Sequence, residues 1–193
     1  MVESASAINR RRTAARITRC AQDLAEAHGL DGFTMDDLAA SAGVSRRTLF
    51  NYVSGKLDAV LGSPPAPNPE RLVEFRAGGP TGRLSSDVKT VIGDLLDSKH
   101  ADPKDLERVR RLIAAEPRLH QALHEKFAHF AAFLAEAVRE REGDRFDALA
   151  AQAAATATLS LFDVALEAFV AEPTTSLSEH YLAAFDGAAA LFA

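Results

Sequence analysis

The sequence predicts an all-α protein, and three observations carry that expectation. Alanine-rich segments recur along the chain, runs of β-branched residues are few, and no stretch alternates apolar and polar residues as a half-buried strand does. With 193 residues, 47% hydrophobic and 25% charged, the chain has the make-up of a folded protein rather than a disordered one. That length accommodates one medium domain, or a small domain joined to a larger one.

Each element has its own local signal. Residues around 10–28 form a first helix, because Ile17, Ala21, Leu24 and His28 recur at helical spacing and Gly29 supplies the stop. Arg12, Arg16 and Arg19 occupy a neighbouring stripe of it. Thr34 is the N-cap of a short second helix, with Asp36 and Asp37 at the positive end of its dipole. This helix reaches about Ser41, and Gly43 takes the left-handed turn that lets the chain double back. Ser45 caps a third helix extending to about Val53, and a fourth starts near Ser54 and fades at Gly62.

"GSPPAPNPE" and "AGGPTG" make residues 62–82 a boundary between an N-terminal domain, 1–61, and a C-terminal domain, 83–193. Inside it Asn68 can cap, Pro69 suits a first turn, and Leu72 and Phe75 can pack. Ser85 or Ser86 then opens a helix bearing Val88, Val91, Ile92, Leu95 and Leu96. "DPKD" opens the next, with Asp102 as cap and Asp105 in the first turn, and Pro117 breaks and restarts the chain. A long helix carries Leu119, Leu123, Phe127, Phe130, Leu134 and Val138 and ends at Gly143. Another spans about 145–171, and "SLSE", Ser176 to Glu179, is a capping box for the last.

The net charge of −5 argues against indiscriminate attraction to nucleic acid. Its placement is uneven, however: Arg10, Arg11, Arg12, Arg16, Arg19, Arg46, Arg47 and Lys56 all lie in the first third. A single cysteine, Cys20, excludes an internal disulfide and fits a reducing compartment. No uninterrupted apolar run approaches a membrane span, and "MVESASAINRRR" lacks the apolar core of a signal peptide, so the expected location is the cytoplasm.

The second and third helices have the residue types of a helix-turn-helix. Leu38 and Ala39 face inward, Gly43 makes the turn, and Val44, Leu49 and Val53 are spaced to bury one side of the third helix. What remains outside is Arg46, Arg47, Thr48, Phe50, Asn51 and Tyr52. Arginine matches guanine O6 and N7, asparagine matches adenine N6 and N7, and threonine or an aromatic ring meets a thymine methyl or a phosphate. A merely solvated polar face seldom leaves two aromatics outside beside two arginines. Double-stranded DNA is therefore the expected partner.

In combination, "FTMDDLAASAGVSRRTLFNYVSGKLDAVL" resembles the DNA-binding segment of TetR-family transcriptional regulators. The resemblance covers about a quarter of the chain. It implies a Thr-initiated helix with Thr34 contacting phosphate, recognition-helix contacts from Ser45, Thr48, Phe50, Asn51 and Tyr52, and a backbone contact from Lys56. It also implies a basic N-terminal arm, a role that suits Arg10, Arg11 and Arg12. Phe50 stands where a tyrosine is commoner, so a hydroxyl contact is missing, and Val53 stands where another aromatic is frequent. The fourth helix, usually continuous into the ligand domain, is here interrupted at Pro64 and Pro65.

The resemblance further implies a homodimer closed by the last two helices, for which Leu149, Ala153, Ala157, Leu161 and Leu166, with Leu177, Leu182, Phe185 and Phe192, supply apolar surface. It implies a small-molecule effector among the middle helices, with Phe127, Phe130, Phe133, Phe162 and Phe169 as candidate pocket residues. Each of these is more often plain core. Glu116, His120 and His124 have the step of four that one helix face needs for a metal, though a solvated stripe has the same pattern, and no metal or other cofactor is expected. Cys20 neighbours a buried face and carries no mark of a redox sensor. No phosphate loop, nucleophile elbow or triad-like grouping points to an enzyme. The expected function is a ligand-responsive regulator, more a repressor than an activator, binding a palindromic operator as a homodimer. The competing class is a helical ligand carrier or protein-interaction module without sequence-specific DNA binding, which the acidic net charge favours.

Overall fold

A computed structural model describes residues 5–62, 67–97, 102–172 and 174–190. The described residues are helical throughout, with no strand among them. They divide into two compact units, residues 1–64 with 108–123, and residues 65–107 with 124–193.

The first unit holds α1 (Ala5–His28), α2 (Met35–Ser41), α3 (Arg46–Phe50) and α4 (Lys56–Leu61). Its core is built where apolar residues fall on one helical face: Ile17, Ala21, Leu38, Leu49, Ala59 and Val60 are removed from solvent altogether. Burying an isoleucine, leucine or valine side chain contributes about 1.5–3 kcal/mol. The amide of Gln22, itself buried between α1 and α4, donates to the Val60 carbonyl at 3.0 Å, so no orphaned polar group is left there. α1 begins earlier than expected, because Ala5 to Asn9 contains nothing that breaks a helix. Arg10, Arg11 and Arg12 consequently sit on a formed helix rather than in an arm ahead of it.

α3 ends at Phe50, short of the expected Val53, with Asn51 as its C-cap. The chain keeps turning beyond it: the N–H groups of Tyr52 and Val53 both return to the Leu49 carbonyl. α4 then draws the backbone away, since the Ser54 N–H and hydroxyl both donate to the Asp58 carboxylate. α4 stops at Gly62, whose φ of 70° is left-handed and whose missing Cβ would meet the Thr18 side chain at 3.2 Å. Pro64 and Pro65, which the sequence marks as the interruption, lie outside the described residues.

α7 (Pro103–Ala115) and α8 (Pro117–Glu142) contribute residues to both units. Leu112 and Leu119 belong to the first core, which is why residues 108–123 group with the N-terminal helices although their sequence position suggests the C-terminal domain. Polar contacts reinforce the grouping. Arg108 donates to Asp23 and Glu26, both at 2.6 Å, and Arg118 reaches Asp31 at 3.0 Å and Glu116 at 2.9 Å. The Arg118 guanidinium holds the Glu116 carboxyl down to about 2 and also lowers that of Asp31.

The second unit holds α5 (Pro69–Arg76), α6 (Leu84–Asp97), the rest of α8, a 3-10 turn (Gly143–Arg145), α9 (Ala148–Ala171) and α10 (Leu177–Ala189). The caps expected from the sequence form. Asn68 accepts from the Glu70 N–H ahead of Pro69, Asp102 accepts from the Lys104 N–H, and Ser176 and Glu179 close a reciprocal capping box. α9 starts at its own cap, Asp147, which accepts from the Ala150 N–H at 2.7 Å. Ala151, Ala155 and Ala165 of α9 are buried, and the buried Tyr181 hydroxyl of α10 donates to the Thr158 carbonyl of α9 at 3.1 Å.

Arg141, with its side chain only 2% exposed, organises the turn between α5 and α6. Its guanidinium donates to the carbonyls of Phe75, Gly78 and Gly79 and, at 2.6 Å, to the carboxylate of the buried Asp87. The other Asp87 oxygen accepts from the Thr81 N–H and hydroxyl. Burial is the largest single influence on the Asp87 carboxyl and pushes it up. The Thr81 and Arg141 hydrogen bonds together outweigh burial and leave it below the ordinary carboxylate range.

α9 has the length and composition of a span, although it carries Asp163 and Glu167. Its Ala151, Ala155, Ala165 and Phe169 lie in the core of the second unit.

Candidate nucleic-acid interface

The helix-turn-helix is assembled from local chemistry. At the start of α2 the Asp37 N–H donates to Thr34 Oγ1 at 3.2 Å, while the Thr34 N–H and hydroxyl donate back to the Asp37 carboxylate at 2.8 and 2.7 Å. Those bonds, the hydroxyl's first, hold the Asp37 carboxyl below its usual value. Gly43 turns the chain with φ 61°, and open space where its Cβ would stand makes conformation, not crowding, the reason for glycine. Val44 returns its N–H to the Ala39 carbonyl, and the small, buried Ala39 lets α3 cross α2 closely.

Ser45 caps α3, accepting from the Thr48 N–H at 3.0 Å, and its hydroxyl also meets Thr48 Oγ1 at 2.8 Å. Leu49 and Val53 are buried as their spacing requires, and Val44 is half-buried. Arg46, Arg47, Phe50 and Asn51 are left exposed, and Thr48 and Tyr52 half-exposed. Phe50 keeps 47% of its surface in solvent, a large apolar exposure on so short a helix.

The structure also ties several of these side chains together. The Arg46 guanidinium lies over the Phe50 ring, 5.8 Å from its centroid, and donates to Asp36 of α2 at 2.9 Å. Arg10 of α1 lies over Tyr52, 5.7 Å from that ring's centroid, so the first helix and the end of the recognition segment meet. Arg11 and Arg12 are exposed on α1. Lys56 has an internal task besides any external one: its ammonium donates to the Leu30 carbonyl at 2.8 Å and lies over Phe33. The Thr34 hydroxyl is likewise engaged in its own cap. Sequence reasoning missed the Asp36–Arg46 pair. The partners are ten residues apart across a turn, and Asp36 alone reads as a dipole-stabilising residue.

The other candidates are distributed differently. Phe127 and Phe162 approach at 5.8 Å between centroids and are half-buried, and Phe130 and Phe133 stack at 6.0 Å with Phe133 outward. Phe169 is buried and meets the ring of His180 instead. Thus four of the five phenylalanines form two separate pairs, and Phe169 packs against His180. Glu116 is held by Arg118, His120 and His124 are both exposed, and no group of three or more potential metal ligands comes together among the described residues. Cys20 is half-buried against the first core.

Comparison with known proteins agrees with this geometry. Residues 17–58 match the family model described as bacterial regulatory proteins, tetR family. Residues 88–193, more than half the chain, match the model described as the MftR C-terminal domain. Among solved structures, a putative TetR-family transcriptional regulator from Mesorhizobium loti MAFF303099 aligns with 19% identity over 98% of each chain and a TM-score of 0.47. No curated protein matches the sequence.

Proposed function

Since this chain belongs to the TetR family of DNA-binding transcriptional regulators, a family of non-enzymes, we propose that it is a cytoplasmic, ligand-responsive repressor acting on a palindromic operator as a homodimer. The observation that carries the reading is the outer face of α3. Arg46, Arg47 and Asn51 present base-matching donors beside the exposed Phe50, on a helix seated by Leu49 and Val53. Arg10, Arg11 and Arg12 along α1 supply sequence-independent attraction to phosphate, assisted by Lys56 and the Thr34 cap.

The homodimer is supported by the surface of α9. Only 22% of its apolar stretch is buried within one chain, and Leu149 and Val164 are 78% and 56% exposed. A soluble monomer rarely leaves such a helix uncovered. Two copies joined there would present two α3 helices to successive major-groove faces of one duplex, about 34 Å apart. For the effector, Phe127 and Phe162 are the best-supported pair, being half-buried and in contact. An effector releases the operator only by favouring the non-binding arrangement. A hundredfold release corresponds to about 2.7 kcal/mol of coupling.

Sedimentation at micromolar concentration, alone and with duplex, tests the assembly. A dimer that Leu149→Glu converts to monomer, with loss of tight DNA binding, is expected. A wild-type monomer that binds duplex tightly contradicts the proposal.

A further inference from the structure

The Asp36–Arg46–Phe50 triad extends the DNA-reading role proposed above and rests on it. Arg46 is the first residue of α3, the end of the helix whose side chains reach base edges when it lies in the major groove. A free arginine there is a flexible chain that loses several rotamers on binding. In this protein the guanidinium is held from two directions. One nitrogen, Nη1, donates to Asp36 Oδ2 at 2.9 Å, and the group as a whole lies over the Phe50 ring, 5.8 Å from its centroid. Asp36 stands in the first turn of α2, which the Thr34–Asp37 capping box fixes independently. The pair is open to solvent, at 63% and 64% side-chain exposure, so it adds little to folding. A contact that contributes little stability yet fixes a base-reading side chain makes sense as orientation.

We propose that Asp36 is a specificity-determining positioning residue: it orients Arg46 for bidentate recognition of one guanine. Guanidinium carries five N–H donors in a rigid fork, so one bond to Asp36 leaves a second edge free for O6 and N7. Phe50, without the hydroxyl of a tyrosine, serves as the floor on which the guanidinium rests. Asp36 also carries negative charge on the DNA-facing side of the motif, which weakens attachment to any duplex. The two effects act in the same direction: non-specific binding falls, and discrimination at one base pair rises.

The test uses the full-length protein and duplexes enriched from a randomised pool, with binding of wild type, Asp36→Ala, Asp36→Asn, Arg46→Ala and the Asp36→Ala/Arg46→Ala double variant measured at one salt concentration. Each is titrated against the enriched duplex and its single-base-pair variants. Asp36→Ala is expected to lower the preference for one G·C pair roughly two- to fivefold, the range an exposed ion pair supports. Arg46→Ala should abolish preference at that same pair, and the double variant should lose no more. Asp36→Asn, which keeps an acceptor oxygen, should restore part of it. If Asp36→Ala tightens binding to every duplex equally and leaves each base-pair preference unchanged, Asp36 is only a charge and the proposal is overturned. Failure of the wild-type protein to enrich any sequence would instead overturn the DNA-reading role beneath it.

Discussion

At the scale of single residues, the proposed DNA reading assigns base selection to side chains of α3 and attachment to phosphate to side chains of α1. Asn51, exposed at the C-cap of α3, has the donor and acceptor pair that matches adenine. Asn51→Ala is expected to cost about 1–3 kcal/mol at one base pair and little at the others, as measured against single-position operator variants. Arg12, exposed on α1, should behave oppositely. Arg12→Ala weakens binding to all sequences alike and reduces the slope of log affinity against log salt by about one. Away from α3, Asp87 is the residue with most at stake, because it is wholly buried and shares the buried Arg141 guanidinium only with Glu142, whose carboxylate accepts from Arg141 Nε at 2.9 Å. Its carboxyl sits below the ordinary range when folded, so its stabilisation is complete at neutral pH and is lost as pH falls below about 4. Asp87→Asn is expected to destabilise by about 1.5–3 kcal/mol at pH 7, since it removes a charged acceptor and leaves Arg141 with Glu142 as its carboxylate partner. The difference from wild type should then shrink on acidification in thermal unfolding. A constant difference down to about pH 3, below the ordinary carboxylate range, contradicts that origin of the stability.

At the scale of elements, the sequence was most readable where local chemistry fixes a boundary. The Thr34 and Ser176 capping boxes, the Asn68–Pro69 start and the left-handed Gly43 can each be read from four or five neighbouring residues, and each forms. The inward face of the helix-turn-helix was legible for the same reason, as Leu38, Leu49 and Val53 show. Less readable were features set by distant partners. α3 is shorter than its pattern because Ser54 is drawn to Asp58, and α4 ends where Gly62 passes Thr18. The attachment of residues 108–123 to the first core depends on Leu112, Leu119, Arg108 and Arg118, and Asp23, Glu26 and Asp31, which the two arginines reach, lie more than 80 residues earlier. No local signal announces such pairs. Gly43→Ala should cost about 1–2 kcal/mol, because an L-residue pays for the left-handed turn in open space. The loss should be visible in thermal unfolding and should misplace α3 enough to weaken operator binding.

At the scale of the whole molecule, two compact units divide the work that the family membership implies, one carrying the helix-turn-helix and the other holding most of the residues matched by the C-terminal domain model. The chain passes between them at residues 64–65, 107–108 and 123–124, and the last two passages lie inside α7 and α8. The acidic net charge of −5 is compatible with DNA binding because basic residues gather on α1 and α3. Under the proposed function, such a charge layout weakens attachment to arbitrary DNA and leaves base recognition and two-site geometry to supply the affinity. The most direct measurement is selection of duplexes from a randomised pool by the intact protein, with the enriched sequence then titrated across a range of salt. The expected product is an inverted repeat whose half-site centres are about 10 base pairs apart, bound by two chains per duplex, with affinity falling as salt rises. Equal affinity for enriched and random duplexes at every salt concentration would contradict the DNA-reading role.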